Sequence, residues 1–475
     1  MADYLSVGID IGTSTTQLVF SSFEMENTAA YFSVPKVSVV NKQIVYMSPI
    51  YDTPMRDTQN IDAAEVERIV AAEYAKAGRT AGEVDTGAVI ITGETARKDN
   101  ASQVLEALSG YAGDFVVATA GPDLEAIIAG KGSGACEYSS RYMCTVMNID
   151  IGGGTSNAAF FDNGETVACG SLDIGGRLVT YNSDGVIGHI SDGARKVAVR
   201  YGIDVAVGRR ADDSQLVGMA EGMAKVLEQF AGLRAKDALF YDLQTPGGSV
   251  FDLQQKPDAV FFSGGVADCV YNDIQDKKRY GDIGVYLGAA LRSDAFAAVN
   301  VARPAQTIRA TVVGAGSYTV SVSGSTVLYA GDVFPMKNVP VLKLDEHIEQ
   351  AIYRGNSAPL KDRAKWFVGQ NDGSVPAFAI KGRQDPSYNE LTSAAVCLID
   401  CADAALPDGA PLIVTMQADM AKALGQAIKT RMDRPRSIIC LDGVEAGDSD
   451  YMDFGHPLME GLVVPVGVKT LIFGG

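Results

Sequence analysis

The chain has 475 residues, of which 47% are hydrophobic and 21% charged, a profile of core-forming globular protein with room for two to four domains. Its formal net charge is −18, and the nearest basic groups (Arg209–Arg210, and Lys429, Arg431, Arg434 and Arg436) are short or interrupted, which argues against nucleic-acid and anionic-membrane partners. Seven scattered cysteines without a CxxC pair and only three histidines argue against a zinc site or a disulfide framework, and no signal peptide or eighteen-residue apolar run is present, so a reduced, cytosolic protein is expected.

In chain order, residues 5–20 read as a hairpin and residues 28–48 as further strand. Asn60–Ala77 has helical apolar spacing with Asp62 as its cap. A strand at 87–92, a helix at 99–109 and a strand at 115–119 follow. Residues 121–135 begin as a helix and run into glycines. A second hairpin spans 145–161, then comes a strand at 166–171, and LDIGGRLVTYN (172–182) reads as a glycine turn before a helix. Residues 212–238 form one long amphipathic helical stretch, and 258–268 form a buried strand running through Gly264–Gly265 into a helix. The pattern breaks at 297–308. Beyond it, 309–331 is strand-like, 411–444 reads as a βαβ unit, and 461–473 closes the chain as strand.

The two hairpins are copies of each other. IDIGTSTTQLVF (9–20) and IDIGGGTSNAAF (149–160) share six of twelve positions, including Asp10/Asp150, Gly12/Gly152 and Thr15/Thr155. Glycine turns let backbone N–H groups converge on an anion. Thr13, Ser14, Thr15 and Thr16 add hydroxyl donors in the first turn, as Thr155 and Ser156 do beside Gly152, Gly153 and Gly154 in the second. A carboxylate repels phosphate unless a cation lies between, so Asp10 and Asp150 imply Mg²⁺, held largely through water. No GxxxxGK[ST] occurs, and each turn leads into a second apolar run rather than a helix, so neither a Walker A loop nor a Rossmann turn is present. The pair is expected to grip one nucleotide from both sides.

The order hairpin, connecting helix, hairpin, strand–Gly–Gly–helix resembles the actin-like ATPase superfamily of actin, sugar kinases and heat-shock chaperones. That resemblance covers roughly residues 5–295. It implies an α/β fold of two duplicated ribonuclease-H-like lobes flanking a nucleotide cleft, with a C-terminal α/β region of unassigned role. Lobes at 1–144 and 145–297 and a C-terminal region at 298–475 are expected. It further implies ATP contacts at Gly12, Thr13, Ser14, Thr15, Gly152, Gly153, Gly154, Thr155, Gly264 and Gly265, catalytic Mg²⁺ carboxylates at Asp10 and Asp150, and connecting helices at 122–130 and 284–293. Where many relatives in the superfamily carry a Glu that positions the hydrolytic water, this chain has Gly121; Asp123, Glu125 and Glu94 are the candidate substitutes, and slow ATP turnover is expected.

Over nearly the whole chain, VGIDIGTSTTQLVFS, TGETA, DLEAIIAGKGSGA and GAGSYTVSVSGSTV resemble the EutA family of ethanolamine ammonia-lyase reactivating factors. This implies a weak ATPase acting as an ATP- and Mg²⁺-dependent chaperone. Its client would be ethanolamine ammonia-lyase, from which it releases damaged cobalamin so that adenosylcobalamin, the client's cofactor, can bind. The implied setting is the bacterial cytoplasm beside an ethanolamine microcompartment, with self-association left open. Two other readings of the same fold are a small-molecule kinase, with Asp123 or Asp173 as base, and a filament-forming scaffold.

Overall fold

The computed structural model describes residues 2–12, 14–27, 37–57, 60–92, 100–108, 110–111, 121–210, 212–246, 248–249, 251, 255–318, 327–371, 373–447, 450–457 and 461–470. Among the described residues three large sheets and one two-stranded sheet carry the fold. The first contains β1 (Ala2–Ile11), β2 (Thr15–Asn27), β3 (Val37–Met47), β4 (Tyr51–Asp52) and β5 (Thr86–Ile91), in the order β3-β2-β1-β5 with β4 on β2. β5 is buried along its whole length, as expected of a parallel strand covered on both faces. The sheet is covered by α1 (Ala63–Ala77) and α2 (Ala101–Leu108). Asp62 caps α1 as expected, accepting a bond from the Glu65 N–H at 3.2 Å. The strand expected at 115–119 lies outside the described residues.

After α3 (Pro122–Gly132) and α4 (Ala135–Tyr142) comes the second sheet: β6 (Thr145–Ile151), β7 (Ser156–Asp162) and β8 (Glu165–Leu172). A small separate hairpin, β9 (Val179–Tyr181) with β10 (Ile187–Ile190), follows. The chain continues through α5 (Asp192–Tyr201), α6 (Asp213–Phe230) and α7 (Ala238–Asp242) to β11 (Ala259–Ser263), α8 (Ala267–Tyr271), α9 (Gly284–Ala290) and β12 (Asn300–Val301). The second sheet reads β8-β7-β6-β11-β12. Each of the first two sheets therefore carries a three-strand meander whose first strand pairs in parallel with a strand that follows later in the chain, β5 for β1 and β11 for β6, and the duplication seen in the turns extends to the topology.

Several expectations change. The helix at 121–135 does not dissolve: a left-handed Gly134 redirects the chain straight into α4. The stretch 212–238 is not one helix, because α6 stops at Phe230 and Gly232, at φ 69°, turns the chain. The turn at 173–176 feeds a hairpin, β9–β10, before any helix. The stretch 309–331 is not all strand, because Ala310–Tyr318 form α10.

Small residues explain that last difference. α3 lies on β6, β7 and β8, α10 lies on β1, β2 and β5, and the two helices pack on each other. The approach is so close that a Cβ at Gly132 would lie 1.8 Å from the Ala310 carbonyl oxygen, and one at Gly314 would lie 2.0 Å from that of Ile128. β-branched and glycine-rich composition favours strand locally, but this backbone crossing overrides it. α10, not α9, is the helix that crosses α3; α9 packs on α6 and α8 within its own lobe. Residues 300–318, beyond the expected division at 297, thus pack with the first two sheets.

The third sheet runs β13 (Val327–Ala330), β17 (Ile438–Leu441), β16 (Leu412–Met416), β15 (Ala377–Ile380), β14 (Met336–Lys343), β18 (Asp450–Phe454) and β19 (Val466–Thr470). β14 to β17 are parallel, linked by α11 (Glu346–Tyr353), α12 (Ala358–Gln370), α13 (Tyr388–Ala405) and α14 (Ala421–Lys429). The expected βαβ unit is β16–α14–β17.

Candidate nucleotide site

Asp10 and Asp150 occupy the same place in their hairpins. Asp10 stands opposite Gln17 and Asp150 opposite Asn157. The Gly12 N–H donates to the Thr15 carbonyl at 2.8 Å, and the Gly152 N–H to that of Thr155 at 3.0 Å. Each carboxylate receives one hydroxyl bond from the neighbouring parallel strand or its end: Thr92 Oγ1 to Asp10 at 3.2 Å, and Ser263 Oγ to Asp150 at 2.6 Å. Asn148 Nδ2 supports Ser263 from behind at 3.0 Å. The two aspartates are only 6% and 5% exposed.

Burial pushes the Asp10 carboxyl up to about 7; hydrogen bonds from Thr92 and Gln17 oppose the shift, and the Asp150 charge adds to it. Burial likewise pushes Asp150 up to about 6 against its Ser263 bond. Two buried carboxylates that repel each other are a donor set suited to a hard cation. Among the described residues no cluster of three or more His, Cys, Asp or Glu side chains could hold a metal. Mg²⁺ takes one or two carboxylates from a protein and fills the rest of its shell with water and phosphate oxygens.

The turns touch. A Cβ at Gly153 would lie 2.8 Å from Ser14 Oγ, while Gly154 has open space around it. Ser14 is fixed from behind, its carbonyl accepting from the Thr53 N–H at 3.1 Å, and Thr53 Oγ1 donates to the Gly12 carbonyl at 2.7 Å. Thr13 lies outside the described residues. Gly264, at φ 82°, lies flat on the end of β6, where a Cβ would meet the Ile151 carbonyl at 2.5 Å; Gly265 faces open space. Of the candidates to position water, Glu94 lies outside the described residues. Glu125 is buried in α3, and Asp123 accepts from the Ser249 N–H at 3.0 Å and from its hydroxyl at 2.5 Å.

Sequence reasoning missed other residues at the site. The Gln17 side chain, 3% exposed, sits beside Asp10 and donates through Nε2 to the Ile308 carbonyl at 3.1 Å, just before α10; its Oε1 is buried without a hydrogen-bond partner. The turn Asp173–Arg177 underlies the second phosphate turn, with the N–H groups of Gly176 and Arg177 donating to the carbonyls of Gly152 and Gly153 at 2.9 and 2.8 Å. Arg177 Cδ comes within 3.4 Å of a Gly153 Cβ. Burial pushes Asp282 up to about 6, against the Gly284 N–H and the Arg177 charge. The signal was available: Asp-Ile-Gly occurs at 10–12, 150–152, 173–175 and 282–284, and the last three stack in one lobe.

The family described as "Ethanolamine utilisation protein EutA" matches residues 2–474. The chain belongs to the EutA family. A relative from Escherichia coli (strain K12), named "Ethanolamine ammonia-lyase reactivase EutA", is 37% identical over 486 residues, covering 99% of this chain and 98% of the relative. A relative of the same name from Salmonella typhimurium is 37% identical over 483 residues, again covering 99% and 98%. Among solved structures, a Ppx/GppA family member from Aquifex aeolicus is 14% identical, covers 67% of this chain and 99% of its own, and has a TM-score of 0.39. In this chain the two matched sheets each offer an aspartate and a glycine turn, and the turns meet at Gly153 and Ser14.

Proposed function

We propose that this chain is an ATP-dependent reactivating chaperone that opens inactivated ethanolamine ammonia-lyase, releases damaged cobalamin and lets intact adenosylcobalamin enter. The reading is supported by full-length identity to relatives carrying the reactivase name, together with the duplicated aspartate turns meeting at Gly153 and Ser14. ATP lies between the turns, held by Gly12, Thr13, Ser14 and Thr15 on one side and Gly152, Gly153, Gly154 and Thr155 on the other, with Gly264 and Gly265 against the nucleoside. Asp10 and Asp150 would hold Mg²⁺, which supplies charge neutralisation for the phosphates.

The residues of the chain do the rest. Thr92 and Ser263 orient the two carboxylates, and the backbone N–H groups of both turns take the phosphate oxygens. Loss of the γ-phosphate removes the ligand shared by the two turns, so the lobes swing about the α3–α10 crossing. The reach of that swing is limited by the difference in nucleotide affinity between the two states. The third sheet is a candidate client surface, and self-association is compatible with the reading. Its setting is the bacterial cytoplasm beside an ethanolamine microcompartment. Among the described residues no helix is long and apolar enough to cross a membrane. Asp123 and Asp173, the candidate bases of a kinase, accept hydrogen bonds from Ser249 and Thr245, so the kinase reading gains nothing from them.

The test incubates the protein with cyanocobalamin-blocked ethanolamine ammonia-lyase, free adenosylcobalamin, Mg²⁺ and ATP. Recovery of deaminase activity that needs ATP is expected. No recovery with active ATP-bound protein would overturn the assignment.

A further inference from the structure

The third sheet carries a cavity remote from the nucleotide turns. β14, β15 and β16 run parallel and end side by side at Lys343, Ile380 and Met416. α11 leaves the end of β14 on one face. The chain between β17 and β18 crosses the strand ends on the other, pinned by the Val444 N–H donating to the Met416 carbonyl at 3.0 Å and by Gln417 Nε2 donating to Glu445 at 3.2 Å. Between these walls lies a cavity of about 570 Å³. Crevices outside the carboxyl ends of parallel strands are where open α/β sheets take ligands, and this volume suits a small metabolite.

The polar groups of the floor are held in place by hydrogen bonds and an ion pair. Glu349, 8% exposed, accepts from the N–H groups of Lys381 and Gly382 at 2.6 and 3.3 Å. Arg383 is held by an ion pair to Glu390, by Gln350 Oε1 at 2.6 Å, and by the Tyr353 ring 4.3 Å beneath it. Two further cations share the lining with Asp345, Glu346 and Glu349, and the Lys381 charge acts on the Glu349 carboxylate. Lys343 and Lys381, at the ends of neighbouring strands, line the cavity, and among the described residues neither forms an ion pair. Two lysine point charges over a floor with spare carboxylate and amide acceptors match a dianion carrying hydroxyl groups.

We infer that this crevice binds the phosphate monoester of a small hydroxyl-bearing metabolite, with the phosphate on Lys343 and Lys381 and the hydroxyls toward Glu349 and Gln417. The site is separate from the nucleotide cleft and does not depend on the reactivase reading.

Calorimetry on the full chain with ribose 5-phosphate and with AMP tests it, using three proteins: unaltered, Asp10→Asn/Asp150→Asn, and Lys343→Gln/Lys381→Gln. Binding of either probe is expected in the first two, weakened about tenfold or more in the lysine variant. A preference for ribose 5-phosphate points to a free sugar phosphate and a preference for AMP to a nucleoside monophosphate; either supports the site. No heat with either probe, undiminished binding in the lysine variant, or loss in the aspartate variant overturns it. Should the lysine variant fail to fold, acetylation of the unaltered chain decides: ligand must protect Lys343 and Lys381, and absence of protection refutes the site.

Discussion

Gly153 of the second phosphate turn packs against the Ser14 hydroxyl of the first, so close that a Cβ on Gly153 would lie 2.8 Å from Ser14 Oγ. The two copies of one sequence motif, 140 positions apart, are thereby brought into contact across the cleft. A ligand spanning both turns couples the lobes directly.

The α3–α10 crossing joins the first two sheets, and it depends on having no side chain at two positions. Gly132→Ala and Gly314→Ala each place a Cβ within about 2 Å of a backbone carbonyl oxygen. Each is expected to lower stability by roughly 1–3 kcal/mol, as overpacking does. Gly82→Ala, with nothing within 4 Å of its new Cβ, serves as the neutral control. Urea denaturation of the three variants checks this.

The buried aspartates make stability depend on pH. Unfolded aspartates titrate near about 3.9, whereas Asp10 and Asp150 titrate near about 7 and about 6 in the folded chain. The folded state therefore binds more protons than the unfolded one between these values. The stabilisation is present below the unfolded value and is lost as pH rises through the folded ones. Metal-free protein is expected to be less resistant to urea at pH 8 than at pH 5.5, and Mg²⁺-nucleotide should restore resistance at pH 8. Denaturation midpoints at both pH values, with and without Mg²⁺-ATP, measure this.

Gln17 ties the first turn to the approach of α10 through its bond to the Ile308 carbonyl. Gln17→Leu removes that bond and the one to Asp10, and also removes the buried, unpartnered Oε1. The two effects oppose each other, so stability should change by about 1 kcal/mol or less. Reactivation rate should fall by severalfold, more than the nucleotide affinity lost with the Asp10 contact. Calorimetry and the reactivation assay on the same preparation separate the two quantities.

Much of this site was legible in the sequence because it is written twice. The repeat at 9–20 and 149–160 identified the turns, and both copies fold with the same register. What escaped was set by long-range packing. Val312, Val313 and the neighbouring glycines read as strand, yet α3 draws them into a helix by offering Gly132 as a contact. Gln17 looked like an ordinary strand residue until Ile308, nearly three hundred positions away, arrived beside it. β14 and β15 were unseen because their apolar runs are short and, in β14, broken by Pro340.

The most direct test of the central claim is titration calorimetry of Mg²⁺-ATP into the unaltered chain and into Asp10→Asn and Asp150→Asn separately. One nucleotide per chain should bind the unaltered protein, and each single substitution should weaken binding roughly 10- to 150-fold while leaving the fold intact. Undiminished binding in either variant would contradict a nucleotide held by both turns at once.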